Sequence, residues 1–141
     1  MEVDKEAFFW KIHDGDLPPP PCAATLGLKF TAISPEEGSI EAEFEGKREF
    51  TNPTGNIQGG FLAAMLDDAM GPALAATLKK GEFAPTLNLN VSFLRPGKVG
   101  RFQGKARVVR RGKDVCYLSG ELLQDGELVA TASATALVRK L

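Results

Sequence analysis

Residues 58–79 read QGGFLAAMLDDAMGPALAATLK. In this stretch Phe61, Leu62, Met65, Leu66, Ala69, Met70, Ala73 and Leu74 recur at steps of three and four, the period of a helix face. It is the one long helical pattern in the chain. Gly81 stands where such a helix stops, with Lys79 and Lys80 in its last turn to complement the dipole. A helix this apolar has to be covered on most sides, and the residues around it supply the cover. Residues 26–33 and 39–44 are strand-like, and Pro35, Glu36, Glu37 and Gly38 between them are turn formers, which predicts a hairpin. In the second of these strands Ile40, Ala42 and Phe44 alternate with Glu41, Glu43 and Glu45, the pattern of a sheet with one solvated face. Residues 85–94, 101–110, 114–123 and 127–138 are four further strand candidates. Short connectors separate them (Arg95-Pro96-Gly97, Arg111-Gly112-Lys113, Asp125-Gly126), so consecutive strands are expected to pair antiparallel. The reading is an α+β fold: a long central helix wrapped by a curved, mainly antiparallel sheet of about six strands. Such a sheet has edges, and Val129, Ala132, Ala134, Ala136 and Val138 need cover, which self-association would provide.

Ahead of this unit, Phe8, Phe9 and Ile12 lie at helical spacing, followed by Gly15 and the run Pro18 to Pro21. Residues 1–22 are therefore expected to form a short amphipathic helix and a stiff arm, and residues 23–141 the main domain. A chain of 141 residues has room for one real core and little more. Lys plus Arg number 17 against 18 for Asp plus Glu, so no long-range field attracts nucleic acid. The longest apolar stretch is broken by Asp67 and Asp68, which argues against a membrane span. Early acids (Glu2, Asp4, Glu6) are unlike a secretory leader, and a cytoplasmic location is expected. Cys22 and Cys116 are far apart in sequence and have no ligand-spaced neighbours, so free thiols are expected, with no metal and no cofactor.

The stretch that carries chemistry is Asn52-Pro53-Thr54-Gly55-Asn56-Ile57-Gln58-Gly59-Gly60, running into the helix. Paired glycines at a helix start leave the backbone open to close approach, and the amides there are unpaired donors at the positive end of the helix dipole. Together they suit a developing oxyanion, where one donor can be worth ~3 kcal/mol of barrier. A tight loop-to-helix turn would use the same glycines without any chemistry. Asp67 tips the balance: at about 100° per residue it falls at the margin of the apolar stripe. An acid there is costly unless partnered or used. Asp68 points away from the stripe and is expected to be a solvated or interface-facing charge.

Asn52, Gly55, Gly59 and Gly60, with Asp67 eight residues after the first paired glycine, form a pattern that resembles the phenylacetic-acid-degradation type of hotdog-fold acyl-CoA thioesterase. The similarity continues through the stretch from Thr86 to Pro96, Gly100 and the stretch from Leu128 to Ala132, covering roughly residues 23–138. The resemblance implies that Asp67 acts as nucleophile or general base, and that the Gly59 amide polarises the thioester carbonyl. It further implies that Asn52 helps position the carbonyl or water, and that Thr86 holds water or orients the carboxylate. It implies an acyl-CoA substrate and a homodimer, or a tetramer of two dimers, with each site shared between subunits. Where that family usually carries His before the glycines this chain has Gln58, and its only histidine is His13. Glutamine can hydrogen-bond but cannot move a proton near neutral pH. Gln58, Gly60 and Phe61 remain candidates for substrate contact. Arg95, Arg111 and Lys113, with Lys98 and Arg110, are candidates for the coenzyme's phosphates, although charged turn residues are commonly only solvated. A non-catalytic acyl-CoA binding or sensor module on the same fold is the alternative. A hydratase would need a histidine that Gln58 replaces, and a purely structural oligomer leaves the helix acid without a purpose.

Overall fold

The computed structural model describes residues 2–141. Two short helices, α1 (Phe8–His13) and α2 (Pro21–Thr25), precede β1 (Lys29–Ser34) and β2 (Ser39–Gly46). The long helix α3 (Gly59–Ala75) follows. Then come β3 (Glu82–Phe83), β4 (Thr86–Phe93), β5 (Gly100–Arg111), β6 (Val115–Gln124), β7 (Glu127–Leu137) and β8 (Arg139–Lys140). The main sheet has six strands in the order β1-β2-β5-β6-β7-β4, and every neighbouring pair is antiparallel. β3 and β8 form a separate two-stranded ribbon. The α+β reading therefore holds: one helix lies across the concave face of a curved antiparallel sheet. No helix among the described residues is long and apolar enough to cross a membrane.

The helix and sheet meet through the pattern visible in the sequence. Leu62, Met65, Leu66, Ala69, Met70, Ala73 and Leu74 are buried on α3, and Ile40, Ala42, Phe44, Phe102, Ala106, Leu118 and Leu122 are buried on the strands beneath it. Burying each large side chain is worth roughly 1.5–3 kcal/mol. Glycines set the approach distance. A Cβ on Gly104 would lie 2.8 Å from the Phe44 ring and 3.4 Å from Ala69, and one on Gly120 would lie 3.1 Å from Met70. The N-terminal segment belongs to the same core: Ala7, Phe9 and Trp10 are buried, and Trp10 donates its ring N–H to the Ala76 carbonyl at 3.0 Å. Both cysteines are free thiols, Cys22 exposed and Cys116 buried.

Four sequence expectations require correction. The helix ends at Ala75, not near Lys79. Past Ala75 the ladder tightens: the Thr77 amide and hydroxyl both donate to the Leu74 carbonyl, and the Leu78 amide donates to the Ala75 carbonyl three residues back. Lys79, Lys80 and Gly81 belong to the turn that follows, where Gly81 takes a φ of +79°. The first strand starts at Lys29 rather than at residue 26, because Pro21 opens helix α2 and Leu26 caps it, with Gly27 at φ +65° turning the chain. Strands on either side of Arg95-Pro96-Gly97 do not pair: β4 pairs only with β7, and β5 crosses to lie between β2 and β6. Asp68, expected as a solvated or interface-facing charge, is half-buried, since α1 and the segment leading into β4 cover that flank of α3.

β4 is left as an edge of the main sheet. Its Leu87 and Phe93 are large apolar side chains more than half exposed, at 56% and 53%.

Candidate active site

Asp67 lies two turns into α3, and Thr86 is the first residue of β4. The Thr86 hydroxyl donates to Oδ1 of Asp67 at 2.8 Å, which fixes the rotation of the carboxylate. Both residues line a cavity of about 680 Å³ between the N-terminal segment, α3 and the start of β4. Asp68 lines it too. Burial, and secondarily the Asp67 charge, push its carboxyl up to about 6, and its Oδ2 is buried without a hydrogen-bond partner among the described residues.

The other group of residues sits at the start of the same helix. Asn52 organises the loop in front of it: its Oδ1 accepts from the Thr54 amide (3.0 Å), the Thr54 hydroxyl (2.7 Å) and the Asn56 amide (3.2 Å). With that oxygen occupied, the side-chain N–H groups are what Asn52 can offer outward. The Gln58 amide is tied to the Phe50 carbonyl, and the Ile57 amide to Gly97. At the helix start the amides of Phe61 and Leu62 bend back to the Gln58 carbonyl, while those of Gly59 and Gly60 have no backbone acceptor among the described residues. A Cβ on Gly59 would stand 3.2 Å from the Phe93 ring, and one on Gly60 would stand 2.7 Å from the Gln58 side-chain oxygen. Asn52, Gly59, Phe93 and Arg95 line a second cavity of about 410 Å³.

Asn52 and Gly59 on one side, and Asp67 and Thr86 on the other, thus line two separate cavities. Gly59 and Asp67 are eight residues apart on a helix that rises ~12 Å over that span, and their cavities have no lining residue in common. Of the remaining candidates, Phe61, Arg111 and Lys113 lie outside both cavities, and Arg95 lines the smaller one. Phe61 stacks on Phe50 with ring centroids 4.2 Å apart. Arg111 turns its guanidinium onto the Gly112 and Lys113 carbonyls and the Cys116 sulfur, holding its own hairpin turn, and Lys113 is exposed at that tip. Arg95 pairs with Glu127 at 3.4 Å and donates to the Leu128 carbonyl at 3.0 Å. The sequence reading missed the N-terminal segment as a wall of the Asp67 cavity, and Gly71 in its floor. Gly71-Pro72 was the available signal, a glycine inside an apolar helix with no turn to make.

The profile of the thioesterase superfamily matches residues 54–131. Human acyl-coenzyme A thioesterase 13 is 28% identical over 110 residues, covering 76% of this chain and 78% of that protein. Among solved structures, a phenylacetic acid degradation-related protein from Ralstonia eutropha is 48% identical with a TM-score of 0.90, covering 92% of this chain and 98% of that one. The PaaI protein of the Escherichia coli phenylacetic acid degradation operon shares the fold, with a TM-score of 0.81 at 21% identity over 99% of this chain and 96% of that one.

Proposed function

The chain belongs to the thioesterase superfamily and has its hotdog fold, and on that basis we propose that it hydrolyses acyl-coenzyme A thioesters to free acid and coenzyme A at a site shared by two copies of the chain. The observation that carries this reading is the pairing of Asp67 with Thr86 in the wall of a cavity, on the same helix whose first amides are left open at Gly59 and Gly60.

Asp67 acts on the thioester carbon, as a base toward water or directly as a nucleophile. In the first route it takes a proton from water as the water oxygen bonds to the carbonyl carbon. The oxyanion that forms is held by the Gly59 amide and the side-chain N–H of Asn52. The carbon–sulfur bond then breaks, and the sulfur leaves with the proton that Asp67 had taken. Thr86, whose hydroxyl donates a hydrogen bond to Oδ1, holds the carboxylate and leaves Oδ2 for the reaction. A thiol ionises near pH ~8.5, so the sulfur is a good leaving group and the weak acid formed at Asp67 suffices to protonate it as it departs. This chemistry tolerates Gln58, which has a hydrogen bond to offer and no proton to transfer.

Strand β4 explains how the half-sites come together. Its first residue, Thr86, touches Asp67, and its last, Phe93, faces Gly59. If the exposed edge of β4 pairs antiparallel with β4 of a second copy, the Thr86 end of one strand lies opposite the Phe93 end of the other. The Asp67 half-site of each chain then meets the Gly59 half-site of its partner. The same pairing covers Leu87 and Phe93 and satisfies the open strand edge. Thiol release measured over a panel of acyl-coenzyme A thioesters tests the activity directly. The wild-type protein turns over at least one of them, and Asp67→Asn abolishes that turnover without altering the fold. Binding without turnover would instead favour an acyl-CoA sensor.

A further inference from the structure

We infer that the acyl chain of the substrate lies in the cavity between the N-terminal segment, α3 and the start of β4, and that this cavity selects straight aliphatic chains of roughly eight to ten carbons. The inference rests on the acyl-CoA reading of the Asp67–Thr86 pair. It takes that reading further by assigning which end of the substrate goes where, and what measures its length.

The charge of the two cavities sets the direction. No lysine or arginine lines the larger one, whereas Asp67, Asp68 and Glu82 do, so a phosphate-bearing coenzyme is repelled there. The smaller cavity, at Asn52 and Gly59, has Arg95 in its wall. With the carbonyl held between the two, the acyl group enters the larger cavity and the coenzyme leaves past the smaller. The shape of the larger cavity sets the length. Ala64, Asp67, Asp68, Gly71, Pro72 and Ala75 form its floor along α3 and, apart from the acids and Pro72, are all small. Phe8 and Ile12 of the N-terminal segment, with Leu26 at the end of α2, line it as well. From Asp67 to Ala75 the floor runs ~12 Å, the reach of an extended chain of roughly nine carbons. Phe8 and Phe83, two aromatic side chains about half exposed to solvent, both line this cavity, where a bound chain would cover them.

Gly71 offers the test. A Cβ there has nothing within 4 Å, so a larger side chain grows into the cavity rather than into the core. Leucine in place of glycine also favours the helix, so Gly71→Leu should fold. The experiment compares kcat/KM for butyryl-, octanoyl-, decanoyl- and palmitoyl-coenzyme A in wild type and Gly71→Leu. In parallel, the thermal shift on adding decanoate and the sedimentation of both proteins are measured. Wild type should prefer octanoyl and decanoyl over the shorter and longer chains. In Gly71→Leu the decanoyl-to-butyryl ratio of kcat/KM should fall at least 10-fold, and the decanoate shift should be lost. Equal loss across all chain lengths, or an unchanged ratio, overturns the inference while leaving the hydrolase reading in place. No turnover by wild type, with a decanoate shift that Gly71→Leu removes, overturns the hydrolase reading and keeps the pocket. A change in oligomeric state caused by Gly71→Leu, with the ratio unaltered, would show that a second copy occupies the cavity, and would also overturn the inference.

Discussion

Asp67 and Asp68 are adjacent carboxylates on one helix with opposite surroundings. Asp67 has a hydroxyl donor at 2.8 Å from Thr86, while the buried oxygen of Asp68 has no partner among the described residues. In the proposed mechanism only the first does chemistry. Asp67→Asn should therefore lower kcat at least ~100-fold, the scale of a lost base or nucleophile, with an unchanged thermal melt. Retained turnover would remove Asp67 from the mechanism. For Asp68 the measurable consequence is stability. Its carboxyl is raised from 3.8 to about 6 in the folded chain, chiefly by burial. A carboxyl raised in this way costs nothing while it is protonated in both states, below its unfolded value. The penalty for burying the charge grows as pH rises through the two values and is complete above the folded one. Asp68→Asn should thus stabilise the protein by ~1–3 kcal/mol at pH 7.5. The gain should shrink toward zero near pH 4. Thermal melts of both proteins across this range check the sign, and a gain that grew on acidification would contradict it.

At the scale of elements, α3 shows what could be read from sequence and what could not. Its buried stripe from Leu62 to Leu74 was legible because sheet contact imposes a helical period on apolar residues. Its end was not, because the apolar pattern runs on through Ala76 and Leu78 while the backbone tightens to three-residue bonds at Thr77 and Leu78, which a count of apolar positions does not register. Asp68 was misread for a related reason. Periodicity locates the face turned toward the sheet, whereas cover on the opposite flank comes from α1 and the approach to β4, segments distant in sequence. The pairing of β4 with β7 was hidden likewise, since a short connector suggests a hairpin whether or not the chain crosses over. Spacing and resemblance singled out Asn52, Gly59 and Asp67, but nothing in the local sequence announced that they divide between two cavities. The fit of helix to sheet supplies a test of its own. Gly104→Ala places a methyl 2.8 Å from the Phe44 ring, where the core has no slack, and should destabilise by ~1–3 kcal/mol. A urea midpoint equal to that of wild type would mean that the sheet yields there.

For the whole molecule, the decisive feature is that one chain holds the residues of the proposed site in two cavities with no lining residue in common. About 12 Å of helix separates the donors at Gly59 from the carboxylate at Asp67. β4 links the two half-sites as an exposed edge with one at each end. The proposed two-fold pair of chains would resolve this by building two complete sites, each with Asn52 and Gly59 from one copy and Asp67 and Thr86 from the other. The most direct test mixes two inactive proteins, Asp67→Asn and Asn52→Ala, after a denaturation and refolding step that exchanges subunits. In a mixed dimer one site receives both lesions and the other receives none. Random pairing puts about half the molecules in mixed dimers, each with one of its two sites intact, so the mixture should recover roughly a quarter of wild-type thioesterase activity. Activity that stays at the sum of the two inactive parents would contradict a site shared between chains.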